Sequence, residues 1–135
     1  MKSFFFTFPV YYEDTDAGGI VYHANYLRFA ERARTQMLKE LGFSNSYFLK
    51  SPSPVGFIVH DCALTFKRPA RLEDVLTIET KVTKMTGTSL FFSQIVRRGD
   101  EELVDMTIRV CTVNERLRPT RLPEELAGFF KDEAV

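Results

Sequence analysis

The residues with the clearest chemical potential lie in one run, Tyr11-Tyr12-Glu13-Asp14-Thr15-Asp16-Ala17-Gly18-Gly19-Ile20-Val21-Tyr22-His23-Ala24-Asn25-Tyr26. It joins an acidic cluster to a Gly-Gly bend and then to a helix start. A carboxylate beside a helix N-terminus pairs a nucleophile or base with backbone N–H groups suited to an oxyanion, the two parts that acyl transfer needs. Asp14 and Asp16 are two apart and would share a face of an extended backbone. Asp16 lies nearer the Gly18-Gly19 bend that returns the chain to the helix; its structural alternative is an aspartate bonding the backbone of its own turn.

The other reactive side chains are sparse. The two histidines, His23 and His60, have no ligand spacing, so no metal site is expected. His60 alternates with Cys62, Leu64 and Phe66 and reads as a satisfied histidine on a half-buried strand. Cys62 and Cys111 form no C-x-x-C pair and fall in strand patterns, where buried, inert thiols are expected.

The elements that must position these groups follow from periodicity. Phe4, Phe6, Phe8, Val10 and Tyr12 alternate as a strand with a buried side, and Pro9 marks an edge or bulge because it has no N–H. Tyr26, Leu27, Ala30, Ala33, Met37, Leu38 and Leu41 recur at helical spacing. Asn25 is the expected N-cap and Gly42 the left-handed stop of this one long helix. Ala30 and Ala33 on its inner stripe permit close approach to a sheet.

A Ser-, Asn- and Pro-containing connection follows from Phe43 to Pro54, with a helical turn at Tyr47-Phe48-Leu49. Strands are expected over Val55 to Lys67, Val75 to Lys84, Ser89 to Arg97 and Glu102 to Asn114, separated by turn signals at 69–74, 86–88 and 98–100. Short connections predict that they pair in succession as an antiparallel meander. Pro123 opens a short C-terminal helix ending near Lys131. The expectation is one α+β domain over 1–135, with a single long helix covering the sheet.

Composition narrows the class. The 135 residues carry 18 Lys and Arg against 18 Asp and Glu, so no global field attracts nucleic acid or an anionic membrane. No apolar run approaches the roughly 20 residues of a membrane span, and the N-terminal Phe run is broken by Thr7 and Pro9 and lacks a signal cleavage site. Cytoplasmic location is the default expectation. Lys67-Arg68 with Arg71, Arg97-Arg98, and Arg116, Arg118 and Arg121 are local basic groups, read first as solvated strand ends and turns.

The pattern Tyr12-x-x-x-Asp16-x-Gly18-Gly19-Ile20-Val21-Tyr22-His23-x-Asn25-Tyr26, continued by Glu31-Arg32-Ala33-Arg34, resembles hotdog-fold acyl-CoA thioesterases of the 4-hydroxybenzoyl-CoA thioesterase family, closest to the bacterial subgroup associated with the Tol-Pal envelope system. The resemblance implies a curved antiparallel sheet wrapped around the long helix. It implies a homo-oligomer, a dimer or a tetramer of dimers, with sites at the dimer interface where two sheets become continuous. It gives Asp16 the catalytic role, as nucleophile or as base for water, and gives the backbone N–H of His23 the carbonyl. The His23 imidazole would orient water or substrate. Tyr12 would hydrogen-bond Asp16 or its loop, with simple packing as the alternative.

The same resemblance places coenzyme A contacts at Gly19, at Ser89 in the turn after Lys84, and at Arg118. The family's Arg- and Lys-rich turn is here Thr86-Gly87-Thr88, which leaves free coenzyme A and an acyl carrier protein both open as carriers. Phe43, Tyr47, Phe48 and Phe57 would line an acyl pocket or serve as core. No cofactor is implied beyond the coenzyme A of the substrate.

Thioester chemistry fits this residue set independently. A thioester carbonyl is electrophilic and thiolate leaves without prior protonation, so a lone carboxylate suffices and no Ser-His-Asp triad is required. One oxyanion-site donor is worth roughly 3 to 4 kcal/mol in acyl-transfer enzymes. The expected function is hydrolysis of short- to medium-chain or aromatic acyl-CoA to acid and coenzyme A. The alternatives are a non-catalytic acyl-CoA-binding or scaffold protein, a hotdog dehydratase or isomerase, for which neither histidine is suitably placed, and a Mg²⁺-dependent phosphatase built on Asp14-Thr15-Asp16. The last requires further carboxylates and usually a parallel α/β sheet.

Overall fold

The computed structural model describes residues 2–131. Strand β1 (Phe4–Pro9) leads through a 3-10 turn at Tyr12–Asp14 to helix α1 (Asn25–Glu40) and the short helix α2 (Asn45–Leu49). Four long strands follow, β2 (Gly56–Phe66), β3 (Val75–Met85), β4 (Ser89–Arg98) and β5 (Glu101–Val113), and then helix α3 (Glu124–Phe130). The sheet is antiparallel in the order β1-β3-β4-β5-β2. With α1 packed across it, this is the α+β hotdog arrangement.

Two expectations about the strands change. The meander holds for β3, β4 and β5, but β2 pairs with β5 and never with β3. The segment between β2 and β3 therefore crosses the end of the sheet and leaves β2 as an edge strand. Strand β1 stops at Pro9 rather than Tyr12: beyond Pro9 the ladder is replaced by single bonds, Val10 N–H to the Asp74 carbonyl and Glu73 N–H to the Val10 carbonyl. Phe4, Phe6, Phe8 and Val10 do reach the core side, whereas Tyr12 is 82% exposed.

Helix α1 buries Tyr26, Phe29, Ala30, Ala33, Met37 and Leu38 against the inner sheet face. Fully burying a side chain such as Phe29 or Met37 contributes about 1.5 to 3 kcal/mol. Ala30 and Ala33 are both essentially inaccessible, and the small side chains let the sheet approach. Gln94 of β4 comes close enough to donate to the Ala30 carbonyl at 3.0 Å and to Thr80 Oγ1 at 3.0 Å, which gives a buried amide full employment inside an apolar layer.

The helix ends as expected at Gly42, whose φ of 90° suits glycine. Its start differs. Ala24 occupies the cap position without a side-chain cap bond, and Asn25 is the first helical residue; its side chain reaches back to the preceding loop. Pro123 likewise stands at the cap of α3 rather than inside it. Register shifts at Val59/Asp61, Val82/Lys84 and Val96/Arg97 are bulges that help curve the sheet around α1.

Candidate active site

The loop between β1 and α1 folds on itself. Asp16 N–H donates to the Ile20 carbonyl at 2.9 Å, Gly19 N–H donates to the Asp16 carbonyl at 3.0 Å, and Thr15 bridges Val21. Gly19 takes a φ of 79°, a conformation that side-chain-bearing residues rarely adopt, and so makes this bend possible. Gly18 N–H donates to Asp16 Oδ1 at 2.8 Å. Asp16 Oδ2 has no hydrogen-bond partner among the described residues. The carboxylate is thus oriented through one oxygen, exposed, and open at the other.

Asp14 holds this hairpin to the helix. Its carbonyl accepts from Tyr22 N–H at 3.0 Å and from Asn25 Nδ2 at 2.9 Å, while its buried carboxylate accepts from Tyr11 N–H. A second anchor lies below it. Ala70 accepts from Val21 N–H through its carbonyl and donates its own N–H to the Tyr26 hydroxyl, whose pKa burial pushes up. The backbone N–H groups of His23 and Ala24, just before α1, have no acceptor among the described residues. They form a donor pair at a helix N-terminus, beside the hairpin that carries Asp16.

The His23 ring is exposed and packs 4.6 Å from the Tyr22 ring and edge-on, at 6.2 Å, to Phe66 of β2. The Tyr12 phenol makes no hydrogen bond among the described residues, neither to Asp16 nor to its loop. Tyr12 contributes its carbonyl instead, which accepts from both the backbone and the hydroxyl of Thr15.

Ser89 and Arg118 are not brought to Asp16 within one protomer. Ser89 pairs with Cys111 near the Met85 end of β3, whereas the Asp16 loop attaches at the Val75 end, about 30 Å away along the strand. The Ser89 side chain is fully buried and accepts from Arg109 Nε. Arg118 sits at the same far end, where its backbone pairs with Asn114 and its guanidinium is free of partners among the described residues.

Other expectations move as well. Phe43, Phe57 and Phe129 pack with Tyr47 and Phe48 of α2 into one aromatic cluster; of the four candidates Phe57 lines the cavity between α1 and the sheet, while Tyr47 and Phe48 line a separate one beside Pro52 and Arg121. Cys62 is exposed rather than buried, because β2 is an edge strand. His60 is exposed too, at the β2 bulge, with Nδ1 2.6 Å from the Asp61 carboxylate. Arg97, Arg98, Lys67 and Arg68 are paired with carboxylates and are not spare phosphate binders.

The description of the Thioesterase superfamily matches residues 18–104. The acyl-CoA thioester hydrolase YbgC of Escherichia coli is 41% identical over 135 residues, covering 97% of this chain and 99% of that one. The acyl-CoA thioesterase YbgC of Haemophilus influenzae is 40% identical over 93% of each. Among solved structures, a probable thioesterase from Bartonella henselae superposes with a TM-score of 0.88 at 35% identity, over 90% of this chain and all of that one.

Proposed function

The chain belongs to the thioesterase superfamily, and from that premise we propose how it works as an acyl-CoA thioester hydrolase. The reaction converts an acyl-CoA and water to the free acid and coenzyme A. The carrying observation is the Asp16 carboxylate, fixed by Gly18 N–H through Oδ1, next to the open N–H groups of His23 and Ala24. The thioester carbonyl oxygen sits on those two donors, which stabilise the charge that develops on it. The free Oδ2 of Asp16 then either takes a proton from the water that attacks the carbonyl carbon, or attacks that carbon itself to form a mixed anhydride that water cleaves to the free acid. Thiolate leaves without needing an acid. The exposed His23 imidazole orients water or substrate at the mouth.

The acyl group is short- to medium-chain or aromatic, and the carrier is coenzyme A or the phosphopantetheine of an acyl carrier protein. The site is completed by a second copy. Strand β2 is an edge with one free row of backbone groups, and Ile58, Val59 and Phe66 on it are about half exposed. Antiparallel pairing of two β2 strands would lay the far end of one protomer, with Gly56 paired to Val113 beside Arg118, against the Phe66 and Asp16 end of the other. That pairing unites Asp16 with an Arg118 that one protomer keeps apart from it. Gly19 then faces the same coenzyme portion, while Ser89 acts from beneath by holding Arg109. No described helix is long and apolar enough to cross a membrane, and a cytoplasmic location matches a coenzyme A substrate.

The test is thiol release from a panel of acyl-CoA esters. Release that depends on Asp16 supports hydrolysis; tight acyl-CoA binding without release would favour a carrier or scaffold.

A further inference from the structure

A cavity of about 330 Å³ lies between α1 and the sheet, under the first half of β2. Its floor is apolar, with Met37, Leu90, Phe92 and Val110, and this size lies within the range of small-molecule pockets. One wall carries a cation. Arg34 is half-buried there, with Cζ 5.8 Å from the centre of the Phe92 ring and Nη1 donating to Gln94 Oε1 at 2.9 Å.

Among the described residues no carboxylate lies within ion-pair distance of Arg34, and the rest of its guanidinium fork has no acceptor. Burial pushes its pKa down from the ordinary arginine value, with the Glu31 carboxylate and the Cys62 thiol acting in the opposite direction. A half-buried guanidinium with idle donors is costly unless something accepts from it. Gln94 is held with its oxygen towards Arg34, because its amide nitrogen donates to the Ala30 carbonyl and to Thr80 Oγ1, and that oxygen already accepts from Nη1.

The cavity also lies along the path of an acyl chain. Arg34 is nine residues beyond Asn25, about 13 Å down the helix from the open N–H groups. The β2 strand runs the same course, from Val59 at the cavity, past Cys62 beside Arg34, to Phe66 against the rings of Tyr26 and His23. Glu31 stands on the same wall, one turn nearer the helix start. Its carboxylate disfavours a second negative charge beside Arg34, so the pair suits an uncharged oxygen.

We infer that Arg34 is a specificity-determining residue that donates, from the wall of this cavity, to an acyl group whose far end carries an uncharged oxygen such as a hydroxyl. The inference rests on the thioesterase reading of Asp16 and goes beyond it by naming the acyl class.

The experiment compares kcat/KM for ω-hydroxydecanoyl-CoA and undecanoyl-CoA, which match in heavy-atom count. A purely apolar pocket prefers the methyl end because it leaves nothing to desolvate. With Arg34 donating to its oxygen, the hydroxyl end is favoured at least about tenfold, and Arg34→Met reverses the preference while Arg34→Lys retains part of it. Thermal unfolding checks that each variant is folded; where Arg34→Met is not, the parent ratio and Arg34→Lys decide. Undecanoyl-CoA hydrolysed as well as or better than its hydroxylated counterpart by the parent overturns the inference alone. An unchanged hydroxyl preference in a folded Arg34→Met protein does so too. If neither ester is hydrolysed while other acyl-CoA esters of the panel are, this inference falls alone; if no ester of the panel is hydrolysed, the thioesterase reading falls and this inference with it.

Discussion

Gly18 and Asp16 are fitted to each other: the Gly18 N–H donates to Asp16 Oδ1 at 2.8 Å, and a methyl group on Gly18 would stand 3.1 Å from that same oxygen. The glycine is needed here for space, not for a left-handed backbone, since among the glycines of this bend only Gly19 has a positive φ. The contact fixes which carboxylate oxygen is free.

Gly18→Ala should therefore damage turnover more than folding. The new methyl pushes the carboxylate out of line, and small misplacements of a reacting group cost about ten- to a hundredfold in rate. Gly18 is exposed, so unfolding should shift by no more than about 0.5 kcal/mol. Steady-state kinetics beside a denaturant titration checks both halves.

Asn25→Ala should destabilise the protein by about 1 kcal/mol through loss of the bond from Nδ2 to the Asp14 carbonyl. It should also lower kcat, because that bond ties the Asp16 hairpin to the helix start. Retained kcat with lowered stability would mean that the loop is held well enough by Tyr22 N–H alone.

Acid should weaken the sheet through Glu79, which lies 14% exposed on the face away from α1. The Ser3 hydroxyl and then the Arg97 guanidinium hold its carboxyl down to about 2, from an ordinary value of 4.5. A carboxyl whose folded pKa is lowered binds protons more readily when unfolded, so its stabilisation is complete above pH 4.5 and is lost as pH falls towards 2. Glu79→Gln should be less stable than the parent at pH 7, by about 1 to 3 kcal/mol. The two should converge near pH 2, as urea midpoints measured across that window will show.

Ile58→Lys should separate the protomers. Ile58 is 45% exposed on the free edge of β2, so a lysine there leaves the protomer's core intact but resists strand pairing. Sedimentation should show a smaller species, and hydrolysis should fall with it because Arg118 no longer reaches the partner's site. Full activity in a folded monomer would show that one chain suffices.

Much of this was legible in the sequence, and the failures have definite causes. The run from Asp16 to Tyr26 was readable because glycine spacing, a carboxylate and a helix start are local properties. Gly42 was readable for the same reason. The position of β2 was not: its alternation of His60, Cys62, Leu64 and Phe66 says that one face is apolar, but not whether another strand lies beside it. Cys62 and His60 were accordingly expected to be covered and are exposed. Asn25 has the right chemistry for a cap and is used instead to hold Asp14, a choice set by a residue eleven positions earlier. Arg34 stood in a recognised motif, yet its lack of a carboxylate partner is a property of the folded sheet and helix together.

The central claim is that Asp16 performs the chemistry. Thiol release from decanoyl-CoA by Asp16→Asn tests it most directly, with circular dichroism and sedimentation to confirm an unchanged fold and assembly. The account predicts a fall of at least about a hundredfold in kcat with binding retained. Turnover near the parent rate in that folded variant would contradict it.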